Sequence, residues 1–303
     1  MPELVKERDK FADHLLCSGH TACPGCGQAL AARLVVRAAG RNVIIVNSTG
    51  CLEIFTSKYP ESAWEVPWLH SLFQNTAAVA SGVEAALRAM GRLDKVRVIA
   101  QGGDGSTFDI GFGAISGMFE RGHDILYVCY DNEAYMNTGI QRSGSTPTYA
   151  RTTTSPPGKA SLGNLRPKKD LPQIAAAHGI PYVAVASVGY PMDLDRKVRK
   201  ALSIRGPKYM QIHVPCPLGW GTEPSKTIDY ARLAVNTALY PLVEIENGVT
   251  TVVKIPQRVP VEEYLKGQVR FRHLLEGAGL KQEIEEIQKL ADQNIERYGL
   301  IAE

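Results

Sequence analysis

The sequence predicts an α/β fold built on a doubly wound, mostly parallel sheet, followed by a C-terminal tail of helices and a hairpin. Short β-branched apolar runs alternate along the chain with segments of helical periodicity, which is typical of βαβ units. A glycine-rich turn directly follows one of these runs. Hydrophobic residues make up 44% and charged residues 21% of the 303 positions, enough to bury a large core.

Helices and buried strands alternate in the first half of the chain. Residues 28–39 are rich in Ala, Leu and Val and predict a helix closed by Gly40, and residues 42–47 predict a strand buried on both faces. Residues 51–70 hold prolines and tryptophans and predict a long loop. The elements predicted next are a helix at 75–90, a strand at 96–100, a helix at 110–120 and a strand at 125–130.

A long loop is predicted at residues 138–170, which contain several prolines, a run of threonines and little periodicity. Loops of this length inside a compact domain are usually functional. The predicted elements that follow it are a helix at 171–178, a strand at 182–186, a helix at 192–204 and a strand at 209–214.

We expect the chain to divide into an α/β domain over residues 1–224 and a C-terminal extension over 225–303. The extension should begin with a helix through Ala238, turn as a hairpin near Asn247 and Gly248, and end in a charged helix near 280–297. Its charged surface makes it a candidate for contact with another subunit.

Composition excludes several classes of protein. Lys and Arg total 34 against 31 Asp and Glu, a net charge of +3 without a basic stripe, which argues against nucleic acid as a partner. Apolar runs fall far short of the roughly 20 residues that cross a bilayer. The charged N-terminus lacks the apolar region of a secretory signal. We therefore expect a cytoplasmic protein with reduced cysteines and no membrane partner.

Polar side chains follow two successive predicted strands. Gly103, Asp104 and Gly105 come after the second strand, and Asn132 follows the third. A glycine-rich turn lets backbone N–H groups approach a phosphate, and these oxygens suit Mg²⁺ bridging to a diphosphate at the carboxyl edge of the sheet. The turn alone could equally be one in which Asp104 caps the next helix. The presence of Asn132 after the next strand favours a metal site over a simple helix cap.

Four cysteines form the second constellation. Cys23 and Cys26 flank a Pro-Gly turn, whose spacing lets both thiolates face one metal centre, while Cys51 and Cys216 lie in loops that follow predicted strands. Four such thiolates could hold zinc or an iron–sulfur cluster, and their spacing does not separate the two.

The other candidate residues have structural interpretations. Cys129 lies inside an apolar strand and is predicted to be a core thiol, and Cys17 is treated as structural. His70, beside Trp64 and Trp68, is predicted to pack rather than to catalyse. The remaining histidines singled out as core residues are His178 and His213.

The segment DNEAYMNTGIQRS at 131–143, taken with the upstream Gly-Asp-Gly, resembles the thiamine diphosphate-dependent 2-oxoacid:ferredoxin oxidoreductases. Within that family it is most similar to β subunits of the pyruvate type. The resemblance extends through HTACPGCG at 20–27, TGCLE at 49–53, WEVPWLH at 64–70, TTTSPPGK at 152–159 and PCPLGW at 215–220.

This resemblance implies the roles of the site residues. Asn137 is implied to bind the 2-oxoacid during catalysis, although a local Asx-turn is the alternative. The resemblance implies three Mg²⁺ ligands, namely Asp104, Asn132 and the backbone oxygen of Ala134. The residues implied to lie against thiamine diphosphate are Gly103, Asp104, Gly105, Asn132, Ala134, Thr138 and Gly139. The implied ligands of a [4Fe-4S] cluster are Cys23, Cys26, Cys51 and Cys216.

The implied reaction is oxidative decarboxylation of a 2-oxoacid, with pyruvate going reversibly to acetyl-CoA and CO₂. Electrons would pass one at a time through the cluster to ferredoxin. The sequence holds neither a second glycine-rich βαβ half nor a ferredoxin-type cysteine run. The resemblance therefore implies two partners, an α subunit that supplies the activating carboxylate and a subunit or domain that carries ferredoxin-like clusters.

Three alternatives stay open. Residues 59–64 and 71–75 depart from the usual pyruvate-type pattern, so the substrate could be another 2-oxoacid such as oxalate, 2-oxoglutarate, or a branched-chain or aryl oxoacid. A non-redox thiamine diphosphate decarboxylase or synthase could use the cysteines as structural zinc ligands. A zinc-bound scaffold with a degenerate cofactor site is the third possibility.

Overall fold

The computed structural model describes residues 15–276 and 280–301, so the N-terminal residues 1–14 lie outside it. The strands are β1 (Val43–Ser48), β2 (Trp68–Ser71), β3 (Arg97–Gly103), β4 (Ile125–Asp131), β5 (Tyr182–Ser187), β6 (Lys208–His213), β7 (Val243–Glu246) and β8 (Val249–Val252). The larger helices are α1 (Gly27–Ala39), α2 (Cys51–Thr56), α3 (Thr76–Ala89), α4 (Phe112–Glu120), α5 (Leu171–Ala176) and α6 (Pro191–Ser203). The C-terminal helices are α7 (Pro217–Trp220), α8 (Thr227–Asn236), α9 (Val261–Leu265), α10 (Arg272–Leu275) and α11 (Lys281–Tyr298).

One eight-stranded sheet organises these elements, in the order β2-β1-β3-β4-β6-β5-β7-β8. The first six strands are parallel to their neighbours, and β7 and β8 run antiparallel at one edge. This architecture confirms the predicted α/β class with a mostly parallel sheet.

The central strands are buried because helices cover both faces of the sheet. Every residue of β4 is buried, and successive side chains alternate between two hydrophobic cores: Tyr127 and Cys129 point into one, Leu126 and Val128 into the other. Helices α3, α4, α5 and α11 contribute to the first core, and α1 and α6 to the second. The continuous apolar runs seen in the sequence are therefore strands buried on both faces.

Residues 51–70 differ from the predicted loop. The structure has helix α2 at the start of this segment, and Trp68–Ser71 forms the edge strand β2, which pairs in parallel with β1. Both elements are short, and β2 is half exposed, so neither leaves a clear periodic signal in the sequence. The predicted loop over 138–170 is confirmed, since the structure has no helix or strand between β4 and α5.

The predicted hairpin near Asn247 and Gly248 is confirmed, and both residues have the positive φ that such a turn requires. Strand β7 pairs with β5, so the hairpin extends the main sheet, and α11 packs on one of its cores. The role of this region in subunit contact stays a prediction. Among the described residues, no helix is long and apolar enough to cross a membrane.

The topology brings four strand ends together. Strands β1, β3, β4 and β6 are consecutive neighbours in the sheet, and because they are parallel their carboxyl ends meet at one edge. The predicted site residues that follow these strands are Cys51, Asp104, Asn132 and Cys216. The fold thus collects residues that are far apart in the sequence.

Candidate cofactor site

A cavity of about 140 Å³ lies at this edge, between the ends of β1 and β3 and the loop that follows β4. We call it the diphosphate cavity. The sequence-predicted residues that line it are Gly103, Asp104, Gly105, Asn132, Ala134, Asn137 and Thr138. Gly139 is not among its lining residues; with φ of +116° it shapes the turn that follows Thr138.

Three polar groups converge inside the diphosphate cavity: the Asp104 carboxylate, the Asn132 side-chain amide and the Ala134 backbone carbonyl. With its amide oriented to donate, the Asn132 side-chain nitrogen lies 2.8 Å from both Asp104 Oδ1 and the Ala134 carbonyl oxygen. The same amide can present its oxygen when a cation takes the place of these hydrogen bonds. One carboxylate, one amide and one backbone carbonyl form a donor set that suits a small hard cation such as Mg²⁺.

The carboxyl group of Asp104 is almost completely buried. Burial raises its pKa well above the usual value, and the nearby carboxylate of Asp131 raises it further. The Ser143 hydroxyl donates a hydrogen bond to Oδ2, while Oδ1 accepts one from the Asn132 backbone N–H at 3.3 Å. A bound cation would offset the cost of burying this charge.

Beneath the loop that follows β4 lies a buried charge network. Asp131 accepts hydrogen bonds from Lys168 Nζ at 2.8 Å, Gln211 Nε2 at 2.9 Å and the Tyr240 hydroxyl at 2.8 Å. Lys168 also contacts Glu133 at 2.9 Å. Burial opposes ionisation of Glu133, but its basic neighbours outweigh burial and lower its pKa to about 2.

A second cavity, of about 220 Å³, adjoins the first, and we call it the cysteine cavity. All four predicted ligands line it: Cys23, Cys26, Cys51 and Cys216. The structure thus brings together thiols from three separate regions of the chain. Among residues 15–276 and 280–301, no three His, Cys, Asp or Glu side chains are grouped so that they could hold a single metal ion. All four side chains nevertheless border the same cavity.

The thiols influence one another electrostatically. Burial, and then the neighbouring thiols, raise the pKa of Cys51 to about 12 and that of Cys216 to about 11. Backbone N–H groups at two helix starts act in the opposite direction, since Gly219 N donates to Cys216 Sγ at 3.3 Å and the first turn of α1 faces Cys26. These thiols become thiolates readily only when a cation binds them.

Close backbone packing fixes the turn that carries Cys23 and Cys26. Gly27 N donates to the Pro215 carbonyl at 3.1 Å, which ties this turn to the loop of Cys216. Gly25 has φ of +70°, and a Cβ there would lie 2.3 Å from the Pro224 carbonyl oxygen. The Pro-Gly pair is therefore required by geometry as well as by ligand spacing.

The two cavities share part of their lining. Gln28, Cys51, Asn132, Met136 and Asn137 border both. Cys51 Sγ lies 3.8 Å from the exposed Asn137 side-chain oxygen, so the thiol site and the predicted catalytic amide are in direct contact.

The remaining candidates, Cys129 and His70, have different settings, since the His70 side chain is exposed although its ring is stacked. Cys129 is fully buried in β4, as predicted. His70 stacks on Trp68, which stacks on Trp64, and His70 Nε2 lies 2.8 Å from Thr49 Oγ1.

The two predicted core histidines differ in their hydrogen bonding. His178 lies 2.9 Å from the Ser116 hydroxyl through Nε2. His213 is fully buried without a hydrogen-bond partner at either nitrogen, and burial lowers its pKa to about 3.

Sequence reasoning missed several residues around the site. In the sequence, Gln28 looks like an ordinary polar residue near the start of a helix. Lys168 looks like part of a solvent-exposed run of charged residues. Arg270 lies in a segment far from every motif, yet it pairs with Glu133 at 2.8 Å. Only the tertiary arrangement reveals these contacts.

Comparison with known proteins agrees with this geometry. Residues 48–212 match the family described as "Thiamine pyrophosphate enzyme, C-terminal TPP binding domain". Over 286 residues the chain is 57% identical to pyruvate synthase subunit PorB of Methanosarcina barkeri, covering 94% of this chain and 97% of the relative. The chain belongs to the 2-oxoacid:ferredoxin oxidoreductase family. It is a β-type subunit of a thiamine diphosphate-dependent enzyme.

Other members of the 2-oxoacid:ferredoxin oxidoreductase family extend the comparison. The chain is 45% identical to ketoisovalerate oxidoreductase subunit VorB of Pyrococcus furiosus over 312 residues, covering 100% of this chain and 98% of the relative. A solved 2-oxoglutarate:ferredoxin oxidoreductase from Magnetococcus marinus shares the fold, with a TM-score of 0.60 and 23% identity over 75% of this chain and 82% of that chain.

Replacing Gly105 with Ala should weaken thiamine diphosphate binding by roughly 10-fold or more, because the new Cβ would lie 2.5 Å from the Tyr135 ring. The Tyr135 hydroxyl is held by Gly105 O at 3.2 Å and Asp109 Oδ2 at 3.1 Å, so the ring cannot move freely. Isothermal titration of the assembled enzyme measures the affinity. The matched control is Gly113→Ala, where the added Cβ meets open space. Unchanged affinity in Gly105→Ala would contradict the assignment of this turn.

Proposed function

We propose that this chain is the cofactor-binding β subunit of a pyruvate:ferredoxin oxidoreductase, holding Mg²⁺–thiamine diphosphate and a [4Fe-4S] cluster side by side. The observation that carries the proposal is the shared border of the diphosphate and cysteine cavities, where Cys51 Sγ lies 3.8 Å from Asn137 Oδ1. Few other functions require a diphosphate site and four thiols in contact.

The Mg²⁺ ligands in this proposal are Asp104, Asn132 and the Ala134 carbonyl. Their support is the close approach of a buried carboxylate, a side-chain amide and a backbone carbonyl at one point of the cavity. The diphosphate would lie against Gly103, Gly105 and Thr138, with Gly139 shaping the turn beside it. These residues line the cavity or close it, and they present backbone where a phosphate would approach.

The proposed cluster ligands are Cys23, Cys26, Cys51 and Cys216. All four thiols line one cavity, as ligands of a shared prosthetic group must. The choice of a [4Fe-4S] cluster over zinc rests on the similarity to 2-oxoacid:ferredoxin oxidoreductase subunits.

When bound, thiamine diphosphate supplies an electron sink for decarboxylation and an iron–sulfur cluster supplies a one-electron acceptor. The residues of this chain hold both groups in place. Asn137 is exposed at the border of the cavities, where its amide can orient a 2-oxoacid by hydrogen bonding. Cys51 and Met136 border both cavities and so lie between the proposed positions of the two groups.

Partner subunits are needed to complete the site. The diphosphate cavity of about 140 Å³ is small beside the about 300–1,000 Å³ of typical ligand pockets. We infer that an α subunit covers the rest of the cofactor and supplies its activating carboxylate, and that ferredoxin and a ferredoxin-like cluster subunit receive electrons. Coenzyme A is the proposed acyl acceptor. Six free cysteines among the described residues support a reducing, cytoplasmic setting.

Pyruvate is the proposed substrate because the chain is 57% identical to a pyruvate synthase subunit and 45% identical to a ketoisovalerate subunit. Assays of the complete complex with a viologen acceptor should give the highest kcat/KM with pyruvate. The comparison panel is 2-oxoisovalerate, 2-oxoglutarate, oxalate and an aryl oxoacid. A higher value for any of these would replace pyruvate in the proposal.

Replacing Asp104 with Asn should abolish retention of Mg²⁺ and thiamine diphosphate, because the variant loses the one charged ligand while keeping its size. Purified complex is assayed for bound thiamine diphosphate and magnesium. Asp195→Asn, in an exposed ion pair on α6, is the control and should retain both. Full retention by Asp104→Asn would show that the metal binds elsewhere.

Replacing Cys51 with Ser should bleach the absorbance near 400 nm of anaerobically purified complex, because one cluster ligand is lost, while thiamine diphosphate remains bound. Metal analysis is made in parallel. Cys17→Ser lies outside the proposed ligand set and should keep the colour. Colourless wild-type protein with stoichiometric zinc would reject the cluster and favour the structural-zinc alternative.

A further inference from the structure

The loop that would hold Mg²⁺ turns at an unusual residue. Glu133 lies between Asn132 and Ala134 and has φ of +68°, in the left-handed region that side chains with a Cβ disfavour. This turn directs the Asn132 side chain and the Ala134 carbonyl toward the same point, near Asp104. Something must hold the loop in this conformation.

Two cations, half-buried Lys168 and buried Arg270, hold the Glu133 side chain. Lys168 Nζ contacts one carboxylate oxygen at 2.9 Å, and the Arg270 guanidinium contacts the other at 2.8 Å. Arg270 is only 4% exposed and comes from the 3₁₀ turn Val269–Phe271, in the C-terminal extension. Its own position is fixed, since its carbonyl accepts a hydrogen bond from Arg151 N at 2.8 Å.

The same guanidinium reaches the cysteine side of the site. Its carbon lies 3.7 Å from the centre of the Trp220 ring, a close cation–π contact. Trp220 is fully buried, and its indole N–H donates to the Asn132 carbonyl at 2.9 Å. Trp220 also ends α7, the short helix that begins directly after Cys216.

We propose that Arg270 is a positioning residue that holds the metal loop in its ion-binding conformation through Glu133 and locks it to the helix after Cys216 through Trp220. The inference rests on the magnesium site of the proposed function. It assigns to the C-terminal extension a part in building the cofactor site.

The charge balance explains why a cation is needed at this position. Asp131 and Glu133 are both buried, and Lys168 bridges them. Without Arg270, two carboxylates would share one cation and Glu133 would lose the partner on its second oxygen. The left-handed turn would then relax, and the Asn132 side chain and the Ala134 carbonyl would no longer meet beside Asp104. Ligand-orienting contacts of this kind typically change metal affinity by roughly 10–100-fold.

The test is Mg²⁺-dependent binding of thiamine diphosphate to the assembled complex, followed by isothermal titration. Arg270→Gln should raise the apparent Kd for Mg²⁺ by roughly 10–100-fold. Glu133→Gln should change it in the same direction, because it removes the charge that Arg270 holds. Arg270→Lys should give an intermediate value, since it keeps the charge but loses the planar stack on Trp220. If Arg270→Gln does not fold, the other two variants carry the test.

The matched control is Lys208→Gln, which removes another buried cation. Lys208 pairs with Asp124 at the opposite edge of the sheet. This variant should lower thermal stability while leaving the Kd for Mg²⁺ within about twofold of wild type. An unchanged Kd for Mg²⁺ in Arg270→Gln or Glu133→Gln would overturn the inference. So would a rise of the Kd in Lys208→Gln as large as the rise in Arg270→Gln. Failure of the wild-type complex to bind Mg²⁺–thiamine diphosphate would instead overturn the proposed function.

Discussion

The meeting of four parallel strand ends at one edge of the sheet is the constraint on which the site depends. Parallel pairing places the residues after β1, β3, β4 and β6 next to one another, although long helices and loops separate them in the sequence. Because both faces of these strands are buried, the edge is the place where polar groups can emerge without disrupting a core. The oxygen ligands and the thiols occupy neighbouring parts of that edge.

Burial of charge is the second feature that shapes the site. Asp104, Asp131 and Glu133 are all nearly inaccessible to solvent, and such carboxylates are costly unless they are paired. Lys168 and Arg270 neutralise the network beneath the loop. Asp104 instead has only uncharged donors beside it, the Ser143 hydroxyl and the Asn132 backbone N–H. The protein thus pairs the charges that shape the loop with cations and leaves one carboxylate at the cavity without a cationic partner of this kind.

Sequence patterns identified the residues that line the two cavities better than the residues that hold them in position. The Gly-Asp-Gly turn and Asn132 could be found because each directly follows an apolar strand, and Cys23 and Cys26 because of their spacing. Cys51 and Cys216 were candidates because they lie in loops after predicted strands, and the family resemblance then implied an iron–sulfur cluster for all four thiols. The sequence analysis missed helix α2 and strand β2 because elements this short, at the edge of the sheet, show no clear hydrophobic periodicity. No sequence pattern identified Arg270, because its contacts with Glu133 and Trp220 depend on how the C-terminal extension packs against the rest of the protein.

The wide spread of the four thiols along the chain bears on how the protein matures. Cys23 and Cys26 leave the ribosome early, while Cys216 follows the last of the parallel strands. A prosthetic group that bridges all four sulfurs can be inserted only after β6 has joined the sheet. Absorbance of the proposed cluster would then report that the parallel sheet has formed through β6, and a chain that ends before Cys216 would lack one of the proposed ligands.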